Sequence, residues 1–197
     1  MARIVQTDDT FTIDAPPLRL SFRRVGERWS HDLDCGGQTL ASSIEFDPDR
    51  DDPDRPVSPA FQQLSGRELP AETQIMLVGQ WGRHHGSAVF SVVEGAGGVV
   101  VESDVAVRSA SPLLTLAATY LVRMTSGDLI DADPSAIVWR VGGPTPGRLT
   151  FEPADDRSRV GLAEAGRTAT RVQATTPIIP GAAHQRLTYR WRWMPEN

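Results

Sequence analysis

An alternation of apolar and polar residues with a period of two runs through most of the chain, and it constrains the fold more than any other sequence feature. It is strongest near the C-terminus, in HQRLTYRWRW, residues 184–193. In an extended chain one face of this run carries Leu187, Tyr189, Trp191 and Trp193. Because successive side chains of a β-strand point to opposite faces, the pattern predicts an antiparallel strand with one buried face.

Shorter runs of the same kind are separated by turn residues. The runs LRLSFRR (18–24) and RWSHDLD (28–34) predict one hairpin, and SAVFSVVE (87–94) and VVVESDVAVR (99–108), joined by GAGG, predict another. Further β-forming runs are TQIMLVGQW, SAIVWRV, GRLTFEP and TATRVQAT. No strand pattern alternates with a long helical pattern, which argues against a parallel α/β sheet.

These runs predict a mainly β fold of about ten to twelve antiparallel strands, arranged as a β-sandwich or a closed β-barrel, with at most one or two short helices. The best helix candidate is RSRVGLAEAGR, residues 157–167, ending at Gly166. Residues 113–124, LLTLAATYLVRM, fit a buried helix or a central strand equally well. A length of 197 residues suits one domain, residues 1–197.

One segment departs from the β pattern. EFDPDRDDPDRPVSP, residues 45–59, is acidic and proline-rich and predicts a surface loop inside the domain. Asp47, Asp49 and Asp51 repeat the opening of a calcium-binding loop, whose alternating aspartates supply oxygen ligands. The twelfth position of such a loop is Ser58 here, not glutamate. A solvated loop is therefore the preferred interpretation, with a calcium-stabilised domain as an alternative.

The stretch QWGRHHG, residues 80–86, holds two of the four histidines. Its two glycines, flanked by β-forming runs, are typical of a five-residue hairpin loop. The preferred interpretation is a solvent-exposed hairpin tip, because no zinc-binding spacing such as HExxH occurs. The alternative is a small enzyme or metal-binding protein that uses this loop. The candidate ligand-binding residues are Trp81, Arg83, His84, His85 and His31.

His31 shares its strand face with Trp29 and Leu33, which predicts that it points inwards. The preferred interpretation is a core histidine whose nitrogens meet a backbone carbonyl or a carboxylate. The alternative is a polar group that lines a pocket between sheets.

The polar face of residues 184–193 carries a ladder of arginines, Arg186, Arg190 and Arg192. Arginines at such positions can bind an anion or an acidic partner. The preferred interpretation is a solvent-exposed face or cross-strand pairing with acidic neighbours.

Composition excludes several classes of chemistry. Cys35 is the only cysteine, so neither an intrachain disulfide nor a cysteine metal cage can form. All twenty basic residues are arginine, which excludes a lysine Schiff base. No nucleophile motif such as G-x-S-x-G occurs, so the sequence predicts no catalytic residue and no cofactor.

The sequence favours a soluble, non-enzymatic domain that binds a small ligand or a protein. A net charge of −5 argues against nucleic acid or an anionic membrane as partner. No apolar run has the length of a signal peptide or a membrane span, so a cytoplasmic location is expected. Exposed edge strands promote pairing between copies, so a homodimer is also expected.

Overall fold

The computed structural model describes residues 2–45, 52–95, 97–123, 127–165 and 169–196. These residues form sixteen strands. No helix long and apolar enough to cross a membrane occurs in this part of the chain. The predicted mainly β fold is confirmed, but the strands outnumber the expected ten to twelve. Some of the additional strands, such as β1 and β6, are short and mostly exposed, so the sequence shows no clear alternation there.

In chain order the strands are β1 Arg3–Gln6, β2 Thr10–Ala15, β3 Leu18–Val25, β4 Arg28–Cys35, β5 Gln38–Ser43, β6 Gln63–Glu68, β7 Thr73–Trp81, β8 His84–Gly95, β9 Gly98–Ser109, β10 Leu116–Val122, β11 Gly127–Asp133, β12 Ala136–Val141, β13 Gly147–Pro153, β14 Arg159–Ala165, β15 Thr170–Thr176 and β16 His184–Pro195.

The strands build two antiparallel sheets of eight strands each. Sheet A has the order β1-β2-β3-β4-β5-β10-β15-β14, and sheet B has the order β11-β12-β13-β16-β9-β8-β7-β6. The sheets pack face to face as a β-sandwich and do not close into one barrel. Both predicted hairpins are confirmed, as β3–β4 and β8–β9.

The C-terminal strand β16 occupies the middle of sheet B, between β13 and β9. Its inner-face residues Tyr189, Trp191 and Trp193 are at most 2% exposed. The Trp191 ring stacks on Phe151 with the ring centroids 4.4 Å apart. Large aromatic side chains contribute much buried apolar area, so this strand stabilises the core between the sheets.

The helix predicted over residues 157–167 is wrong for Arg159–Ala165, because these residues form the strand β14. It pairs with β15 at the edge of sheet A, with a register shift between Leu162 and Glu164. Pairing with β15 satisfies the backbone groups on one side of β14, and this contact overrides a weak local helix preference. Residues 113–124 contain a strand, β10, whose residues are almost all buried.

Residues 52–62, here called the strap, run between β5 and β6 and contact both sheets. The Phe61 carbonyl accepts a hydrogen bond from Trp29 N in sheet A at 2.9 Å, and Gln62 N donates to Val78 O in sheet B at 3.0 Å. The strap also lies against β10, where Thr119 Oγ1 donates to Val57 O at 2.6 Å. Of the predicted surface loop, Asp52 is exposed, whereas residues 57–59 are buried.

Candidate functional site

A cavity of about 390 Å³ opens beside the strap at the start of β4 and the end of β7, and is here called the strap pocket. Its size suits a small ligand. Its wall is formed by Glu27, Arg28, Glu45, Asp52, Pro53, Pro56, Val57, Ser58, Ala60, Gln62, Gln80, Trp81 and Gly82. The strap, the start of β4 and the end of β7 therefore supply every part of this wall except Glu27, in the β3–β4 turn, Glu45, just after β5, and Gly82, in the β7–β8 turn.

Glu45 is the most deeply placed charged group of the strap pocket. Its side chain is 10% exposed. Burial raises the pKa of this carboxyl to about 7, and the Ser43 hydroxyl and the Arg28 charge oppose that rise only in part. Arg28 Nη1 donates to the backbone carbonyl of Glu45 at 3.1 Å. Near neutral pH this carboxyl can therefore accept a hydrogen bond as the anion or donate one as the acid.

A chain of polar groups continues from Glu45 into the core. His31 Nδ1 lies 3.7 Å from Glu45 Oε1, and His31 Nε2 lies 2.7 Å from the Tyr120 hydroxyl. The Tyr120 hydroxyl lies 2.8 Å from the Tyr189 hydroxyl, which belongs to the opposite sheet. Burial lowers the pKa of His31 to about 3, so its ring is neutral at physiological pH. The structure thus places His31 in the core, behind the base of the pocket.

Trp81 contributes the aromatic ring to the wall of the strap pocket. Its indole Nε1 donates to Pro53 O of the strap at 3.2 Å. Its ring lies against Gly86, where a Cβ atom would come within 2.6 Å of the ring. The ring is therefore fixed from both sides, and glycine at position 86 leaves room for it.

The side chain of Gln62 links the strap to the backbone of Gln80 in β7. Gln62 Oε1 accepts from Gln80 N at 2.7 Å, and Gln62 Nε2 donates to Gln80 O at 3.2 Å. The side chain of Gln80 is exposed at the mouth of the pocket, as are those of Glu27 and Asp52.

The predicted solvent-exposed tip at QWGRHHG is wrong for His84. The turn has two residues, Gly82 with φ of +53° and Arg83, and both histidines belong to β8. Pairing of Trp81 with His84 directs the His84 side chain inwards, where it is 0% exposed. His85 points to the opposite, exposed face, as does Arg83 in the turn. Of the five candidate ligand-binding residues, only Trp81 lines the strap pocket.

The metal predictions have different outcomes. No group of three or more histidine, cysteine, aspartate or glutamate side chains that could hold a metal ion occurs among the described residues. His84 contacts one carboxylate, Asp54, at 2.9 Å. Asp47, Asp49 and Asp51 lie outside the described residues, so calcium binding there stays a prediction.

The arginine ladder is paired with carboxylates of neighbouring strands. Arg186 forms two hydrogen bonds with Asp104, of 2.7 and 2.6 Å. Arg190 and Arg192 both bind Glu152 Oε1, at 2.6 and 2.7 Å. Contact with an anion or a partner stays a prediction, and it would have to compete with these pairs.

Sequence reasoning missed Glu45, Arg28 and Tyr120. Glu45 is the first residue of the acidic segment, and in the sequence it resembles the carboxylates that follow it, for which the sequence predicts a solvated loop. Its side chain is buried beside His31 of β4, a tertiary contact that no local pattern encodes. Tyr120 lay in a segment already predicted to be buried, so its hydroxyl was the one available signal of a polar contact in the core.

No protein-family model matches the chain, and no curated protein matches it. Among solved structures, a galactose mutarotase-like protein from Clostridium acetobutylicum is similar, with a TM-score of 0.50 and 8% sequence identity. The match covers 100% of this chain and 98% of that chain. At this identity the likeness shows a shared fold, and this fold is compatible with a ligand-binding β domain.

Proposed function

We propose that the domain binds a small, hydroxyl-rich ligand of about monosaccharide size in the strap pocket. The observation that carries the proposal is the Glu45 carboxyl, which is 10% exposed and lines a cavity of about 390 Å³. A buried polar group with a perturbed pKa in a cavity is typical of a binding site.

The composition of the wall supports a neutral, hydroxyl-bearing ligand. A hydroxyl group both donates and accepts hydrogen bonds, and the wall offers acceptors in Glu27 and Glu45 and donors in Arg28 and Gln80. Three carboxyl groups and one guanidinium line the cavity, so an anionic ligand would be repelled. Trp81 offers an apolar surface to the carbon skeleton of such a ligand.

The structural neighbour supports sugars as the first class to examine. That protein is described as galactose mutarotase-like, which associates this type of β-sandwich with a sugar. D-galactose and D-glucose are therefore suitable first probes, with an anionic sugar phosphate as the comparison that the carboxyl-rich wall should reject.

The test is a titration followed by the indole N–H signals in two-dimensional ¹H–¹⁵N NMR. The five tryptophans produce separate indole signals, and a Trp81→Phe variant assigns the one from the pocket. We expect the Trp81 signal to shift saturably with a neutral sugar. Glu45→Ala should weaken binding at least about 10-fold, the equivalent of one lost hydrogen bond.

Asp128→Asn is the matched control, because it removes an exposed carboxylate on β11, at the far edge of sheet B. It should bind like the unaltered protein. The proposal is wrong if no neutral sugar shifts the Trp81 signal of the folded protein. It is also wrong if Glu45→Ala and Asp128→Asn lose affinity equally.

A further inference from the structure

Asp54, His84 and Ser109 form a hydrogen-bonded array on the inner side of the β7–β8 hairpin. His84 Nε2 lies 2.9 Å from Asp54 Oδ1, and His84 Nδ1 lies 2.8 Å from Ser109 Oγ. Asp54 comes from the strap, His84 begins β8 and Ser109 ends β9. The array depends on tertiary structure, since the three residues are 30 and 25 positions apart along the chain.

The direction of both hydrogen bonds follows from the chemistry of the groups. An ionised carboxylate only accepts, so its contact with Nε2 requires a proton on Nε2. Nδ1 of the neutral ring then carries a lone pair, and the Ser109 hydroxyl donates to it. His84 is 0% exposed and its ring lies 5.7 Å from that of Trp81, which fixes its orientation.

Ser109 is half-buried and opens onto a second cavity of about 390 Å³, between residues 109–113 and 178–183. Leu113, Ile178 and Ile179 contribute apolar surface to this cavity. Ser109 therefore combines a hydroxyl bonded to the His84 ring nitrogen with a place in the wall of a partly apolar cavity.

We propose that Ser109 is the nucleophile of an acyl-transfer site that hydrolyses esters of small apolar acids. A hydroxyl bonded to a histidine that a third group orients is the arrangement by which proteins activate serine. Ser109 and His84 act on the reacting atoms, and Asp54 is a positioning residue. None of these three residues lines the strap pocket, and the proposal does not depend on the ligand proposed there.

The reaction balances without any reagent other than water. Ser109 Oγ bonds to the ester carbonyl carbon while its proton passes to His84 Nδ1. The ester C–O bond then breaks, and His84 returns the proton to the leaving alkoxide. Water attacks the acyl-serine and passes a proton to Nδ1, and the carboxylic acid leaves as Ser109 regains its proton.

Two measurements test the site in the full chain. The first is release of p-nitrophenolate from p-nitrophenyl acetate and p-nitrophenyl butyrate, which we expect to fall at least about 100-fold in Ser109→Ala. The second is covalent labelling by phenylmethylsulfonyl fluoride, located by peptide mass spectrometry. Ser109 should be labelled first, and Asp54→Asn should slow that labelling about 10-fold while leaving the labelled position unchanged.

Ser87→Ala is the matched control, since Ser87 is an exposed serine on the outer face of β8. It should hydrolyse both esters like the unaltered protein. Ser109→Ala removes one small oxygen atom and leaves the His84 ring in place, so circular dichroism should show that it folds. Equal hydrolysis by the unaltered protein and Ser109→Ala, or labelling of Ser109 no faster than of Ser87, would overturn the proposal and leave a purely structural histidine.

Discussion

Glu45 and His31 are neighbours whose pKa values move in opposite directions. Burial raises the pKa of Glu45 from 4.5 to about 7 and lowers that of His31 from 6.5 to about 3. The stability from Glu45 is complete below pH 4.5 and is lost as the pH rises to 7. The stability from His31 is complete above pH 6.5 and is lost as the pH falls to 3. Between pH 4.5 and 6.5 the two contributions to the free energy of unfolding change with pH in opposite directions and at the same rate, so they cancel.

This cancellation predicts the behaviour of Glu45→Gln. The variant keeps the His31 contribution but has no carboxyl, so its free energy of unfolding relative to the unaltered protein should rise by about 3 kcal/mol between pH 4.5 and 7. Urea unfolding at several pH values measures the difference. A difference that stays constant over this range would show that Glu45 titrates as in the unfolded chain.

At the scale of the elements, the β8–β9 hairpin depends on one glycine. Gly98 has a φ of +121°, in the region that favours glycine, and a Cβ atom there would overlap the backbone carbonyl oxygen of Trp193 in β16. That oxygen belongs to a central strand and cannot move aside. Position 98 thus combines a conformational and a steric requirement.

Gly98→Ala should therefore destabilise the protein by about 2–5 kcal/mol, the sum of backbone strain and overpacking. Gly95→Ala is the matched control in the same hairpin, because its Cβ would meet nothing within 4 Å. It should change the free energy of unfolding by less than about 0.5 kcal/mol. Equal thermal stability of the two variants would contradict this account of the hairpin.

The edge strands bear on self-association. At one side Ile4 N of β1 donates to Glu68 Oε1 of β6 at 2.6 Å, which links the edges of the two sheets. At the other side β11 and β14 each contain a register shift. Bulges of this kind hinder pairing between edges of separate molecules. A homodimer stays a prediction, and these features disfavour one formed by edge pairing.

At the scale of the whole molecule, a hydrogen bond between Tyr120 and Tyr189 joins the two sheets inside the core. Tyr120 is 2% exposed and Tyr189 is 1% exposed. The Tyr120 hydroxyl also contacts His31, so it links the buried side chains of His31 and Tyr189. Burial raises the pKa of both tyrosines, which keeps both hydroxyls protonated.

Tyr120→Phe should destabilise the sandwich by about 2–4 kcal/mol, because it leaves His31 Nε2 and the Tyr189 hydroxyl without this partner. Tyr189→Phe removes only the hydroxyl that pairs with Tyr120. It should lower the free energy of unfolding by about 1 kcal/mol, since Tyr120 keeps its contact with His31. Urea unfolding of both single variants and the double variant measures their coupling. If the two single variants lose equal amounts of unfolding free energy, and these losses add in the double variant, the two hydroxyls are not coupled and this account is wrong.

The alternation of residue types determined most of the strands and the class of fold. The inner face of β16 could be read directly, because opposite faces of a strand are set by neighbouring residues and need no knowledge of distant contacts. The same reasoning placed His31 inside. It did not identify β14, whose strand form depends on pairing with β15.

Only the tertiary structure decided where the polar groups meet. Glu45 lines one cavity together with residues of the strap, and His84 contacts Asp54 and Ser109 because three distant segments converge. Such contacts join residues far apart in the chain, and their free energy depends on burial that no local pattern records. The alternation therefore specified antiparallel strands with one buried face, whereas the tertiary structure decided that they form two sheets and that the strap contributes to both candidate sites.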